Sequence, residues 1–319
     1  TGEVGAQGLQ GDPSGDTLGS LSCETGQFSR WMGSSWGCTD LGFVYPIDDI
    51  GTSSIIPTTS GCGSSGVSTF GNVACANNGA SSESSYDIFL TTCPTTSCLE
   101  SSTVSFATDG NPSIQTNSVA FTSTGNPVIV WIDSDAESGC CGGNYNVLVR
   151  ICGSRDCSTG TTQTVVSSRN LKYWVSVVLD NNNNPVIAYS ERLSDTSASL
   201  MTYFCSSGTC SSGNNVAVDT NSAVGQGCTY CNLSVATDDS NNPAFAYGGG
   251  LEGNSIYFVT CATSNCSSAT TTPSGIIGSD ISKVIIGAHG PIVSYISSRG
   301  KLGIFFCDGP GCSSGSSLI

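Results

Sequence analysis

Pro185-Val-Ile-Ala-Tyr189, followed by Leu200-Met-Thr-Tyr-Phe-Cys205-Ser-Ser-Gly-Thr-Cys210, carries the two marks from which the rest of the chain is read. The first is a proline, three small or apolar residues and an aromatic. Proline lacks a backbone donor and fits the first residue of a strand. Asn181 to Asn184, just before it, are turn formers. An alternating run, Trp174 to Leu179, stands upstream and reads as a strand with one buried face. The second mark is an apolar run ending in a cysteine, then four residues, then another cysteine. Cysteines so close fit a hairpin closed by a disulfide, with one on each arm.

Both marks recur. Cys-x4-Cys occurs at Cys93/Cys98, Cys152/Cys157, Cys205/Cys210, Cys261/Cys266 and Cys307/Cys312, each after a β-like run such as Asn146-Val-Leu-Val-Arg-Ile-Cys152. The proline mark occurs as Pro127 to Trp131, Pro185 to Tyr189, Pro243 to Tyr247 and Pro291 to Tyr295, preceded by Asn126, Asn184, Asn242 and Gly290. Each unit is therefore strand, turn, strand, loop, strand, Cys hairpin, strand. Four short antiparallel strands recurring every ~50 residues describe the blade of a β-propeller. A β-sandwich has no reason to repeat the same marks. The expected fold is all-β, a propeller of five blades with room for a sixth in the first hundred residues. Leu41 to Tyr45 is the expected counterpart of the proline mark in the first blade. The chain runs only seven residues past Cys312, so a strand near Leu18 to Cys23 is expected to complete the last blade.

The chain has 319 residues and 18 cysteines. Such density implies disulfides made in an oxidising compartment, which points to a secreted, cell-surface or virion-surface protein. The other cysteines are Cys23, Cys38, Cys62, Cys75, Cys140, Cys141, Cys228 and Cys231. Local pairing of Cys23 with Cys38 and of Cys62 with Cys75 is simplest; the pairing of the last four stays open. Hydrophobic residues make up 38% and charged ones 10%. Net charge is −15, which leaves no basic groove for nucleic acid. No apolar run approaches the ~20 residues of a membrane helix, so no membrane insertion is expected. No signal peptide is visible, which suits a mature or trimmed N-terminus.

Gly2, Gly5, Gly8 and Gly11 fall on a period of three, with Pro13 following. This resembles a short collagen-like Gly-X-Y segment, in which only glycine fits the axis of three wound chains. The resemblance covers about twelve residues and breaks at Ser14. It implies an arm over residues 1–17 ahead of a propeller over 18–319, and self-association into a trimer or filament. The chain as a whole resembles secreted, disulfide-stapled propeller repeat proteins.

Catalytic signatures are scarce. His289 is the only histidine and lies in a Gly/Pro-flanked turn. No Ser-His-Asp set, G-x-S-x-G elbow, P-loop or H-E-x-x-H occurs, nor a sialidase-type Asp box. Asp133 and Glu191 each stand six residues after their unit's proline. They hold one place in neighbouring blades, where two carboxyls could serve as acid and base in glycoside hydrolysis or could hold Ca2+; Gly249 and Ser297 follow in the next two units. Asp133, Asp135 and Glu137 are spaced to offer oxygens to Ca2+; no other cofactor is expected. Trp131, Tyr189, Tyr247 and Tyr295 repeat in place and read as core, while Trp31 and Trp36 could stack on sugars. Asn232-Leu-Ser and Asn265-Cys-Ser are N-glycosylation sequons.

The reading these features favour is a non-catalytic extracellular protein, structural or adhesive: a propeller head or subunit of a surface fibre. The alternative is a secreted carbohydrate-binding, lectin-like propeller or a glycoside hydrolase using Asp133 and Glu191.

Overall fold

The computed structural model describes residues 27–31, 36–40, 64–68, 72–80, 86–93, 101–107, 111–134, 145–168, 171–194, 197–220, 233–249, 255–287, 289–297 and 300–318. The chain forms two compact units, Thr1–Ile55 and Ile56–Ile319. The first holds a hairpin of β1 (Gln27–Trp31) and β2 (Trp36–Asp40), with Trp31 opposite Trp36. The second holds a β-propeller of five four-stranded antiparallel blades.

Blade 1 is β3 (Ser64–Val67), β4 (Val73–Ala80), β5 (Tyr86–Cys93) and β6 (Ser102–Ala107). Blade 2 is β7 (Asn111–Phe121), β8 (Pro127–Ser134), β9 (Tyr145–Cys152) and β10 (Gly160–Ser168). Blade 3 is β11 (Leu171–Leu179), β12 (Pro185–Ser194), β13 (Ser197–Cys205) and β14 (Gly213–Asp219). Blade 4 comprises β15 (Leu233–Thr237), β16 (Pro243–Gly249), β17 (Ser255–Cys261) and the first half of β18 (Ala269–Gly287). The second half of β18 opens blade 5, which continues with β19 (Gly290–Ser297), β20 (Leu302–Cys307) and β21 (Gly315–Leu318).

Every blade is a meander in which sequence neighbours pair. Four apolar clusters join consecutive blades. Blades 1 and 2 meet at Ile88, Leu90, Ile129 and Trp131. Val130, Val149, Val177 and Tyr189 join blades 2 and 3; Leu200, Phe245 and Tyr247 join 3 and 4; Phe258, Val284 and Tyr295 join 4 and 5. The repeated aromatics Trp131, Tyr189, Tyr247 and Tyr295 are all at most 2% exposed. They are the core the sequence pattern required.

The turns explain the residues before each proline. Asp180 Oδ1 accepts the N–H of Asn184 at 2.7 Å, and Asp238 Oδ1 accepts that of Asn242 at 2.7 Å. Thr122 and Ser68 do the same for Asn126 and Asn72. The side chain thus closes the turn locally. Asn183 and Asn241 stand at φ 62° and 65°, where asparagine is tolerated better than most residues. Their amide oxygens reach the preceding blade: Asn183 accepts from Ser123 N–H at 2.6 Å and Asn241 from Asn181 N–H at 2.7 Å.

Disulfides Cys152–Cys157, Cys205–Cys210, Cys261–Cys266 and Cys307–Cys312 span 4.8 to 4.9 Å between Cα atoms. They do not bridge two arms as the sequence suggested. The first cysteine ends the third strand, while the second sits inside the turn, ahead of the fourth strand. The second cysteine is left-handed each time, with φ of 56°, 53°, 54° and 49°. The disulfide fixes a backbone conformation that a non-glycine residue rarely adopts. Cys75 and Cys93 are also disulfide-bonded; Cys98 lies outside the described residues.

Two further expectations change. Val73–Ala80, not Leu41 to Tyr45, is the second strand of blade 1: Val73 pairs with Cys93, and the preceding Asn72 takes the turn position. Its proline is replaced by valine, which hid it. Blade 5 is completed by β21, pairing Cys307 with Gly315 and Ile304 with Leu318. The seven residues after Cys312 suffice because a fourth strand can be four residues long. Residues 1–17, Leu18 to Cys23 and Leu41 to Tyr45 lie outside the described residues.

Candidate functional site

Strand register defines the two ends of the propeller. At one end lie the proline turns and the Cys turns: Val128 pairs with Ile151, next to Cys152. Six residues along β8, or about 20 Å at 3.3 Å per residue, the other end carries Asp133. Asp133 pairs with Pro112 on the innermost strand and with Asn146. Glu191 has the equivalent place in blade 3, paired with Leu171 and Ser199. Gly249 and Ser297 hold it in blades 4 and 5.

Asp133 is buried, at 5% exposure. Glu191 is half-buried, and its Oε1 accepts the hydroxyl hydrogen of Ser168 at 2.7 Å. Ser168 ends β10, so this bond turns Glu191 from blade 3 toward blade 2, the blade that holds Asp133. Two residues earlier, Tyr189 donates its phenolic hydrogen to Asn215 Oδ1 at 2.8 Å. Burial pushes the Tyr189 phenol up to about 12; the hydrogen bond to Asn215 opposes this and the charge of Glu191 adds to it.

A second polar cluster lies at the junction of blades 3 and 4. Tyr247 and Thr271 donate hydroxyl hydrogens to Asp219 Oδ2, at 2.6 and 3.0 Å. Burial, then the bond to Asp219, raises the Tyr247 phenol well above its ordinary range.

Along the innermost strands, serine hydroxyls satisfy the free edge of the next blade. Ser118 accepts from Val177 N–H at 3.1 Å, Ser176 from Val235 at 3.3 Å and Ser234 from Val284 at 3.0 Å. Lys283 occupies the serine place in blade 5, by its pairing with Ser294. Its side chain is open to water yet crowded by protein, and desolvation lowers its ammonium below the ordinary lysine value.

Asp133 and Glu191 are therefore brought to one end of adjacent blades. Asp135, Glu137 and Asn232 lie outside the described residues, as do Cys140, Cys141, Cys228 and Cys231. Among the described residues, no group of three or more His, Cys, Asp or Glu could hold a metal. Nor is any helix among them long and apolar enough to cross a membrane. His289 is exposed in its turn and borders a hollow of about 270 Å³ with Ile292, Phe306 and Asp308, at the Cys-turn end and away from the carboxyl pair. Sequence reasoning missed Ser168, Asp219 and the serine series. Ser168 is one hydroxyl in a Ser/Thr-rich strand, and Asp219 has no counterpart in the other units. The serines were written in the repeat, since Ser118, Ser176 and Ser234 each stand nine residues before their unit's proline, Pro127, Pro185 and Pro243.

No family model matches the chain, and no curated protein matches it. Solved structures do. A protein of unknown function from Dyadobacter fermentans is 8% identical, covers 80% of this chain and 81% of its own, and superposes at a TM-score of 0.55. An α-L-arabinofuranosidase from Fusarium graminearum is 12% identical, with 79% and 78% covered and a TM-score of 0.48. A GH43 protein from Bacillus licheniformis is 10% identical, with 79% and 55% covered and a TM-score of 0.47. At such identities the likeness establishes the propeller fold alone.

One correction follows. The chain was expected to be non-catalytic, a structural or adhesive element of a fibre. The solved structures similar to the chain include several described as glycosidases, among them an exo-β-1,3-galactanase and an arabinanase. The missing catalytic motifs are one ground of that expectation, beside the disulfide density and the Gly-X-Y start. Absence of such motifs does not exclude an enzyme, because a propeller can bring together residues from blades far apart in sequence. The non-catalytic reading is withdrawn.

Proposed function

We propose that the chain is an extracellular, carbohydrate-active propeller, a glycoside hydrolase with Asp133 and Glu191 as its carboxyl pair. The observation that carries this reading is their equivalence: the same register position, at the same end, in adjacent blades, with the carboxyl group of Glu191 held toward blade 2 by Ser168. Glycoside cleavage requires one carboxyl to protonate the departing oxygen and a second to activate water or attack the sugar. Glu191, which water reaches, suits the second part; Asp133, enclosed, suits delivery of a proton away from bulk solvent. Residues 1–17 would form a Gly-rich, collagen-like arm ahead of this catalytic unit. The disulfide turns favour the oxidising setting in which polysaccharides are met.

The test is release of reducing sugar from a panel of neutral and acidic polysaccharides by the disulfide-intact protein. Cleavage of at least one, lost when the protein is unfolded, supports the proposal. Binding to a glycan without cleavage would favour the lectin-like alternative.

A further inference from the structure

Asn265-Cys266-Ser267 occupies the tip of the Cys turn of blade 4, and all of Ala262 to Asn265 is exposed. The turn uses only one end of the Asn265 amide. Oδ1 accepts the hydroxyl hydrogen of Thr263 at 2.9 Å and the N–H of Ser267 at 3.2 Å. Among the described residues, Nδ2 makes no hydrogen bond and faces no partner. The equivalent turn of blade 2 has Asp156, which has no amide nitrogen. Its Oδ1 accepts the N–H and hydroxyl of Ser158 at 3.1 and 2.9 Å. One oxygen therefore suffices to build this turn, and the nitrogen of Asn265 is structurally idle. The third residue of the sequon, Ser267, is tied to the asparagine through Thr263, whose Oγ1 lies 3.0 Å from Ser267 Oγ.

We infer that Asn265 carries an N-linked glycan. The donor is a lipid-linked pyrophosphate sugar. Nδ2 bonds to C1 of that sugar, the C1–O bond to pyrophosphate breaks, and the amide gives up one proton. The Oδ1 contacts survive the reaction, so the folded turn accommodates the product. Cys266 is left-handed and disulfide-bonded in the folded turn, so attachment precedes closure of Cys261–Cys266. The glycan stands at the Cys-turn end, across the propeller from Asp133 and Glu191, and leaves that end open.

Peptide mapping of protein secreted from a glycosylating eukaryotic host, with and without enzymatic glycan release, reads the site directly. The expected result is a glycan on Asn265 of the disulfide-intact protein, converted to aspartate on release. Asn265→Asp, which keeps the turn oxygen as Asp156 does, should lose the glycan and match the thermal midpoint of wild-type protein made in a host that does not glycosylate, where residue 265 is still asparagine. An unmodified Asn265 in correctly folded wild-type protein overturns the inference. So does a glycan found only when Cys261 and Cys266 are replaced, since closure would then outrun attachment. Neither outcome bears on hydrolysis, which depends on the opposite end.

Discussion

Tyr247 donates its phenolic hydrogen to Asp219 Oδ2 at 2.6 Å, across the junction between blades 3 and 4. Both residues are buried, at 2% and 7% exposure. Tyr247→Phe removes the donor and leaves a buried acceptor short of a partner. The expected cost is about 1–3 kcal/mol, read as a lower urea midpoint with an unchanged slope. The sign with pH follows from the raised phenol. Its stabilisation is complete below the ordinary tyrosine value of 10.0 and is lost as pH rises beyond it. Wild-type stability should therefore fall more steeply above that pH than that of Tyr247→Phe.

The serine series makes a second prediction. Ser176→Ala adds no bulk at this buried place but removes the acceptor for Val235 N–H, 3.3 Å away on the next inner strand. An inner strand has one unpaired edge, and a donor left unsatisfied there costs about 1–3 kcal/mol. Hydrogen exchange should quicken at Val235 more than at Val177, whose acceptor is Ser118.

The Cys turns give a third. Cys210 has φ 53°, a region glycine enters freely and other residues do not. The pair Cys205→Ala with Cys210→Gly should be more stable than Cys205→Ala with Cys210→Ala by about 1 kcal/mol. Both should lie below wild type by roughly 2 kcal/mol or more, the contribution of a small disulfide loop. Equal stability of the two double variants would mean that the turn relaxes out of the left-handed region once the sulfurs are gone.

Lys283 provides the fourth. Its depressed ammonium pKa means that the charged form is penalised in the folded state. The penalty is fully present below the folded value and is relieved as pH rises toward the ordinary 10.5. The ammonium of Lys283, followed by NMR, should titrate below an ordinary lysine; titration at the ordinary value would mean that water solvates it fully.

Much of the fold was legible because the repeat is written in backbone chemistry. Proline, the turn asparagines and the paired cysteines mark fixed places in each blade, and the buried aromatics of Trp131, Tyr189, Tyr247 and Tyr295 mark a fourth. Blade 1 was obscured where these marks fail: Val73 stands for proline and Asn77 for the aromatic. Spacing could place both cysteines of a turn but not reveal that the second is left-handed and outside the strand. The candidate pair was legible because Asp133 and Glu191 share an offset from their prolines. The serine that holds Glu191 was not, since Ser168 lies on an outer strand whose side chains follow no repeated pattern, and the same is true of Asp219, which holds Tyr247 in the second polar cluster. The inference against catalysis failed for a related reason. Local motifs report sites built on one loop, whereas a propeller assembles residues from separate blades.

The most direct measurement compares wild type, Asp133→Asn and Glu191→Gln for hydrolysis of whichever polysaccharide the wild type cleaves, with circular dichroism and thermal midpoint as controls of fold. Both changes keep side-chain size and remove the ionisable group. The proposal predicts a loss of about 10²-fold or more in each variant, with folding intact. Hydrolysis at the wild-type rate in both variants would contradict it.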